Sequence, residues 1–307
     1  MTCLIEFPAK WISSRHFEET LTQAGDPLMG PDMDVRVNVP IDCRVMVDAG
    51  VRLLSYLNVL VHIGKTATLA FEEGESGAMG YLDRMGFFEC LNTRVTVLPA
   101  RPLLSRSQLY RGTNTLLVEF ARIPPDARVA ELPRRLVSSL LNKVDAEKAK
   151  RVLERPVFTM LSELIENIYE HSNTELDGFA VSQYYGGRRN EVFIAVSDSG
   201  EGPMERLRPA LPEFYPDLVG ASESELLVAM FTQGVSRLGQ KKGSGLKSAG
   251  YHALKFNSSL DVRIPTTYIQ LRPAQDGQYK AKGYISSGLP VVWGTHISFN
   301  FKLDALT

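Results

Sequence analysis

The chain has 307 residues, of which 44% are hydrophobic and 22% are charged, and its formal net charge at pH 7 is -1. This composition is typical of a globular protein, and it gives no direct signal for a nucleic-acid partner. The length predicts two domains. We expect neither export nor a membrane span, because the N-terminus lacks a basic segment before an apolar core and no apolar run approaches the roughly 18 residues that cross a bilayer.

The three cysteines, Cys3, Cys43 and Cys90, are scattered without CxxC spacing. This pattern predicts neither a disulfide framework nor a zinc site. It favours a reducing compartment, and we therefore expect a cytoplasmic protein.

The N-terminal part alternates between strand and helix patterns, after a start without a clear pattern. Strands are predicted at 35–39, 66–71 and 93–98, and helices at 42–63 and 77–91. This order implies a small α/β domain with parallel pairing. The run from Tyr81 to Phe87 and its placement resemble the STAS-like modules that are fused to bacterial regulatory ATP-binding domains. A generic α/β domain is the alternative.

A further strand is predicted at 116–120, before a break at Pro124-Pro125-Asp126. The prolines disfavour both a helix and a central strand at this point. We therefore predict an N-terminal domain over 1–125, a helical linker over 126–155 and a second domain over 156–307. Pro156 would suit the first turn of the helix that opens the second domain.

This helix carries Glu163, Asn167, Glu170 and His171 within about one quadrant, opposite an apolar face. A carboxylate and a carboxamide one turn apart can act on one small ligand. The carboxylate can take a proton from a water, and the amide oxygen can hold a hard cation such as magnesium. The alternative is a solvated polar face without a ligand.

Two strands predicted at 179–185 and 191–197 form a hairpin around a glycine-rich loop. The second strand leads directly into Asp198-Ser199-Gly200-Glu201-Gly202. An aspartate at a strand end can accept a hydrogen bond from a purine amino group, and the glycines let the backbone approach a flat ring. A plain turn is the alternative.

The long segment 203–242 contains one predicted helix, at 223–231, and is typical of a lid or binding loop. It ends in a glycine-containing basic stretch, 240–247, before another helical pattern. Glycines before a helix N-terminus expose N–H groups to an anion, and five basic and no acidic residues lie between Arg237 and Lys255. This predicts a phosphate cradle, with a flexible basic loop as the alternative. Strands are predicted at 260–264, 268–271, 279–285 and 295–301.

Together with Gly294-Thr295, these motifs resemble the GHKL superfamily, the Bergerat-fold ATP-binding domain of gyrase B subunits, MutL proteins, histidine kinases and anti-sigma-factor kinases. The resemblance covers about residues 150 to 302. It implies that Glu163 is the general base, that Asn167 is the magnesium ligand and that Asp198 recognises adenine. It also implies nucleotide-binding roles for the remaining motif residues, Gly200, Gly202, Lys241, Lys242, Gly243, Ser244, Gly245, Leu246, Lys247 and Thr295.

Two positions depart from the family pattern. Lys247 stands where many members have a glycine, although a cation there could meet a phosphate. Ile168 replaces a small residue, which matters mainly for packing. The sequence upstream shows no phosphoacceptor-histidine helix, so we do not expect a conventional sensor histidine kinase.

The resemblance implies an α+β fold whose C-terminal part is a Bergerat sandwich, with a mixed, mainly antiparallel sheet and helices on one face. It implies ATP and Mg²⁺ as ligands. We expect an ATPase or a kinase that acts on a serine or threonine of a protein partner; a nucleotide-dependent binding switch with little turnover is the alternative. A homodimer is compatible with this class, and no membrane partner is expected. Phosphorylation of the N-terminal domain in cis is a third hypothesis, for which no particular serine stands out.

Overall fold

The structure, a computed structural model, describes residues 2–144, 147–239, 245–274 and 279–305, and it confirms the expected α+β class. The N-terminal elements are β1 (Thr2–Glu6), β2 (Trp11–Ile12), α1 (Ser14–Gln23), β3 (Asp34–Val39), β4 (Arg44–Val45), α2 (Val47–His62), β5 (Thr66–Phe71), α3 (Ala78–Arg84), α4 (Phe87–Cys90), β6 (Thr96–Leu98), α5 (Arg106–Tyr110) and β7 (Leu117–Ile123). The C-terminal elements are α6 (Leu132–Leu141), α7 (Glu147–His171), β8 (Gly178–Tyr185), β9 (Glu191–Ser197), α8 (Met204–Leu207), α9 (Leu211–Phe214), α10 (Glu223–Thr232), α11 (Gly245–Lys255), β10 (Ser259–Ile264), β11 (Thr267–Pro273), β12 (Tyr279–Ser287) and β13 (His296–Lys302).

Four N-terminal strands form a parallel sheet in the order β1-β3-β5-β6, as the alternation of strand and helix patterns predicted. The sequence patterns did not predict β1 or α1. Helix α1 begins at a serine N-cap whose backbone N–H donates to Nδ1 of His16 at 3.2 Å. Histidine in place of the usual Glu or Gln hides this capping box from a sequence search.

The predicted helix at 77–91 is wrong as a single element. Gly86 has a φ of +79°, and this left-handed residue divides the segment into α3 and α4. Helix α2 begins at Val47, five residues after the predicted start at 42, because the short strand β4 precedes it and pairs with β2.

A second sheet has seven strands in the order β12-β11-β10-β13-β9-β8-β7. All pairings among these described strands are antiparallel, whereas we expected a mixed sheet. The edge strand β7 precedes the predicted domain boundary at residue 125, so the large sheet includes a strand from the N-terminal side.

The two faces of the seven-stranded sheet differ in polarity. One face is apolar and packs against α6, α7 and α11 in a core that contains Ile194, Val262 and Phe299. The other face is covered by the N-terminal half, with α2 packed on β8 and β9. Towards β13 and β10 this second face carries polar side chains, including His296, Ser298 and Asp261. We expected helices on one face, and the N-terminal cover of the other face was not foreseen.

Three buried charges join the N-terminal half to this polar face. Glu18 of α1 accepts from Arg52 of α2 at 2.7 Å and from Nε of Arg263 of β10 at 2.9 Å. All three side chains are fully buried. The second guanidinium also donates to the carbonyl of Pro290 at 2.6 Å. One carboxylate thus holds two cations from separate parts of the chain.

Helix α7 is continuous through Pro156, so the prediction that Pro156 lies in a first helical turn is wrong. Its apolar stripe runs on both sides of the proline, with Leu153, Val157 and Leu161 all buried. Packing of this stripe outweighs the backbone hydrogen bond that a proline removes. Among the described residues, no helix is long and apolar enough to cross a membrane.

Candidate functional site

A cavity of about 510 Å³ lies between α7, the β9 end, the start of α11 and the residues before β13. Seven of the predicted site residues line it: Glu163, Asn167, Asp198, Gly202, Gly245, Leu246 and Thr295. These residues come from four segments separated by up to 132 positions. The volume is within the range of about 300 to 1,000 Å³ that is typical of small-molecule sites.

Glu163 and Asn167 enter the cavity from α7, whose opposite side packs in the core through Leu161, Leu164 and Ile165. A Cβ atom placed on Gly245 would lie 2.7 Å from Oε2 of Glu163 and 3.8 Å from Nδ2 of Asn167. The first residue of α11 therefore almost touches the polar face of α7. A side chain at position 245 would occupy the space between the two elements.

The turn after β9 holds the carboxyl group of Asp198 in a fixed orientation. Oδ1 accepts from the backbone N–H of Gly200 at 2.8 Å, and the Thr295 hydroxyl also bonds to the carboxyl group. The backbone N–H of Asp198 donates to the carbonyl of Thr295 at 3.0 Å. Burial raises the pKa of the Asp198 carboxyl to about 6, and these hydrogen bonds offset part of that rise.

The end of α7 contacts the same turn. The backbone N–H of Glu201 donates to the carbonyl of Ser172 at 3.3 Å, and a Cβ atom on Gly200 would lie 1.9 Å from that carbonyl oxygen. Only a glycine permits this approach. The contact fixes the distance between the carboxylate and carboxamide of α7 and the carboxylate of Asp198.

Some predicted residues do not line the cavity. Gly200 faces the Ser172 backbone, and its N–H donates to the Asp198 carboxylate. Lys247 is exposed, and its side chain lies against Gly234, 2.9 Å from the position of a Cβ atom there. The phosphate-cradle residues Lys241, Lys242, Gly243 and Ser244 lie outside the described residues.

The segment between β9 and α11, which the sequence predicted as a lid or binding loop, supplies a further wall of the cavity through residues that the sequence did not single out. It carries α8, α9 and α10, whereas one helix was predicted. Met230 and Phe231 give an apolar surface, and Arg206 and Arg237 add two cationic side chains. Arg237 opens the basic stretch noted in the sequence, whereas no pattern marked Arg206.

The donor set suits a hard cation together with an anionic ligand. Within the described chain, no group of three or more His, Cys, Asp or Glu side chains could hold a metal by itself. Mg²⁺ commonly uses one or two protein oxygens and completes its shell with water and substrate phosphates. The Asn167 amide could supply one such oxygen, and the Glu163 carboxylate and two arginines that can meet phosphate charge line the same cavity.

Comparison with known proteins adds no family assignment: a scan of protein-family models finds no model that matches this chain, and a search of curated proteins finds no significantly similar sequence.

Proposed function

We propose that this protein binds Mg-ATP in the cavity between α7, the Asp198 turn and the start of α11. The observation that carries the proposal is the convergence of Glu163, Asn167, Asp198, Gly245 and Thr295 on one cavity from four separate segments. The resemblance of the same motifs to the GHKL superfamily supports it. A shared cavity is what the ATP hypothesis requires, whereas the alternatives of a plain turn and a solvated helix face require none.

The residues have complementary roles in this proposal. The Asp198 carboxylate and the Thr295 hydroxyl bind the adenine edge, and apolar side chains such as Phe231 contact the ring. Asn167 holds Mg²⁺, which neutralises phosphate charge when bound. Arg206 and Arg237 add positive charge at the phosphate end, and Glu163 orients or deprotonates the attacking water or hydroxyl group.

Calorimetry with ATP and magnesium tests the binding site. We expect the wild type to bind, Asp198→Asn to lose binding and Asn167→Ala to lose the magnesium dependence. Asp177→Asn is the matched control, because Asp177 pairs with Arg122 at 2.9 Å and does not line the cavity. A wild type that binds no adenine nucleotide would contradict the proposal.

Turnover is tested separately from binding. Glu163→Gln should abolish ATP hydrolysis or phosphoryl transfer and retain ATP binding. Glu166→Gln is the control on the same helix, since Glu166 pairs with Arg128 and does not line the cavity. A wild type that binds ATP without turnover would favour the second candidate function, a nucleotide-dependent switch.

We also propose that the protein acts on a protein partner in the reducing cytoplasm and that its N-terminal unit has a STAS-like regulatory role. A homodimer is compatible with this proposal. Support for the compartment comes from the cysteines: all three are described and none is in a disulfide. Support for a regulatory role of the N-terminal unit comes from its packing on the same sheet whose strands carry the site.

A further inference from the structure

Two residues next to the cavity residues point to the opposite face of the large sheet. Ser197 precedes Asp198, and His296 follows Thr295. Because side chains alternate along a strand, Ser197 and His296 face the N-terminal half. Ser197 Oγ lies 2.6 Å from Nδ1 of His296 and 2.8 Å from Oγ of Ser55 on α2. All three side chains are buried to within 1% exposure.

The geometry fixes the direction of each hydrogen bond in the series that runs from Ser55 through Ser197 and His296 to the Trp293 carbonyl. Nε2 of His296 lies 3.0 Å from the carbonyl of Trp293, which can only accept, so Nε2 carries a proton. Burial, together with the nearby charges of Arg52 and Arg263, lowers the pKa of His296 well below its usual value, so the ring is neutral. Nδ1 is therefore an acceptor. Ser197 must donate to it, and Ser55 must donate to Ser197.

The Trp293 carbonyl, the last acceptor of this hydrogen-bond series, belongs to the turn that presents Thr295. Gly294 follows Trp293 with a φ of +98°, and a Cβ atom there would lie 2.0 Å from the carbonyl oxygen of Asp198. The turn therefore lies directly against the backbone of Asp198, whose carboxylate faces the cavity. Its position is held by the Asp198 N–H bond to the Thr295 carbonyl on one side and by the His296 ring on the other.

We propose that Ser55, Ser197 and His296 are positioning residues for the nucleotide site, so that helix α2 of the N-terminal half sets the geometry of the Asp198–Thr295 pair from the far side of the sheet. This inference rests on the proposed function. It makes the N-terminal half part of the base-binding apparatus, although none of these three side chains lines the cavity.

The test compares Ser55→Ala with Ser139→Ala in the full chain. Ser139 is an equivalent control: it is a buried helical serine on α6, and its Oγ donates to Oγ of Ser182 on β8 at 2.8 Å, on the other face of the same sheet. Both substitutions remove one buried hydroxyl–hydroxyl bond, and Ser139→Ala also removes the contact of Oγ with the Leu136 carbonyl at 2.8 Å, so Ser139→Ala should lose at least as much thermal stability as Ser55→Ala. ATP and GTP affinities are measured by competition with a fluorescent ATP analogue.

We expect Ser55→Ala to weaken ATP binding about three- to tenfold, in line with the loss of one hydrogen bond, and to reduce the ratio of ATP to GTP affinity. Ser139→Ala should leave both values unchanged. The double variant Ser55→Ala/Ser197→Ala should bind ATP no more weakly than Ser197→Ala alone, because both residues act through His296.

The outcomes separate the two proposals. If the wild type binds ATP and Ser55→Ala matches Ser139→Ala in affinity and in base preference, the positioning role is overturned and the proposed function stands. If the wild type binds no ATP, the proposed function fails first, and this inference fails with it.

Discussion

At the scale of single residues, Asp198 combines a role in the proposed site with a cost to the fold. Its carboxyl group is buried, and burial raises its pKa from 3.8 to about 6. In the unfolded chain the carboxyl group ionises near its ordinary pKa. Between about pH 4 and pH 6 the folded protein therefore retains a proton that the unfolded chain has lost, and the stability of the fold decreases as the pH rises through this window.

This linkage gives a prediction for Asp198→Asn. Above pH 6 the full cost of the ionised carboxyl applies, and a rise of about two pKa units corresponds to about 3 kcal/mol. An asparagine carries no charge and can still accept from Gly200. We expect Asp198→Asn to be at least as stable as the wild type at pH 7.5, with a difference that disappears near pH 4. Urea unfolding at the two pH values measures it; a variant that is less stable by the same amount at both would contradict the assignment.

At the scale of elements, the first residue of α11, Gly245, lies against the polar face of α7. The Cβ atom in Gly245→Ala would lie 2.7 Å from the Glu163 carboxylate and 3.8 Å from Nδ2 of Asn167, so it would occupy the space beside the proposed Mg²⁺ ligand. Because the Glu163 side chain is exposed, it can move away, so the free energy of unfolding should change by less than about 1 kcal/mol.

For Gly245→Ala we therefore expect ATP binding at least about tenfold weaker, with thermal stability retained. Gly220→Ala is the matched control in the segment before α11, since no atom lies within 4 Å of a Cβ there and its φ is not positive. Calorimetry on both variants decides: equal affinities would remove the start of α11 from the binding site.

The sequence predicted strands and helices well where burial of one side of the element produces a regular apolar pattern. The alternation in β3 and the apolar period of α2 reflect burial on one side, so both were found, with the start of α2 shifted by five residues. The same holds for the strands from β8 to β13. For α7, the sequence correctly placed the apolar stripe but misjudged Pro156, because tertiary packing continues the helix through it.

Properties that depend on distant partners were not predictable. A strand pattern does not name its sheet, so β7 could not be assigned to the large sheet. The burial of the polar side chains of β10 and β13 was not predicted, because their partners lie far earlier in the chain: Ser197 is 99 residues before His296, and Ser14 is 247 residues before Asp261. In the site, the motif residues were identified beforehand, whereas Arg206 depends on how α8 folds over the cavity.

At the scale of the whole molecule, the buried Glu18 network ties the two halves together. Glu18→Ala would leave the Arg52 and Arg263 guanidinium groups buried without their carboxylate. Removing one partner of a buried ion pair typically costs about 3 to 5 kcal/mol. We expect a loss of that size in the free energy of unfolding.

The neighbouring residue supplies the control for this prediction. Glu19 also pairs with an arginine, Arg15 at 2.8 Å, but both side chains are more than one third exposed. Glu19→Ala should therefore change the free energy of unfolding by less than about 1 kcal/mol. Chemical denaturation of the two variants measures the contrast, and similar losses in both would show that the buried network does not hold the halves together.

The same network has a consequence for how the chain is made. Arg263 follows Glu18 by 245 positions, so it leaves the ribosome last of the three. At a synthesis rate of about 5–20 residues per second, Glu18 and Arg52 wait roughly ten to fifty seconds for this third charge. During that time β7, β8 and β9 are made, but the polar part of the covered face, on β10 and β13, is still missing. The N-terminal half is therefore the first part to be made, whereas the sheet face on which it docks is among the last parts to be completed.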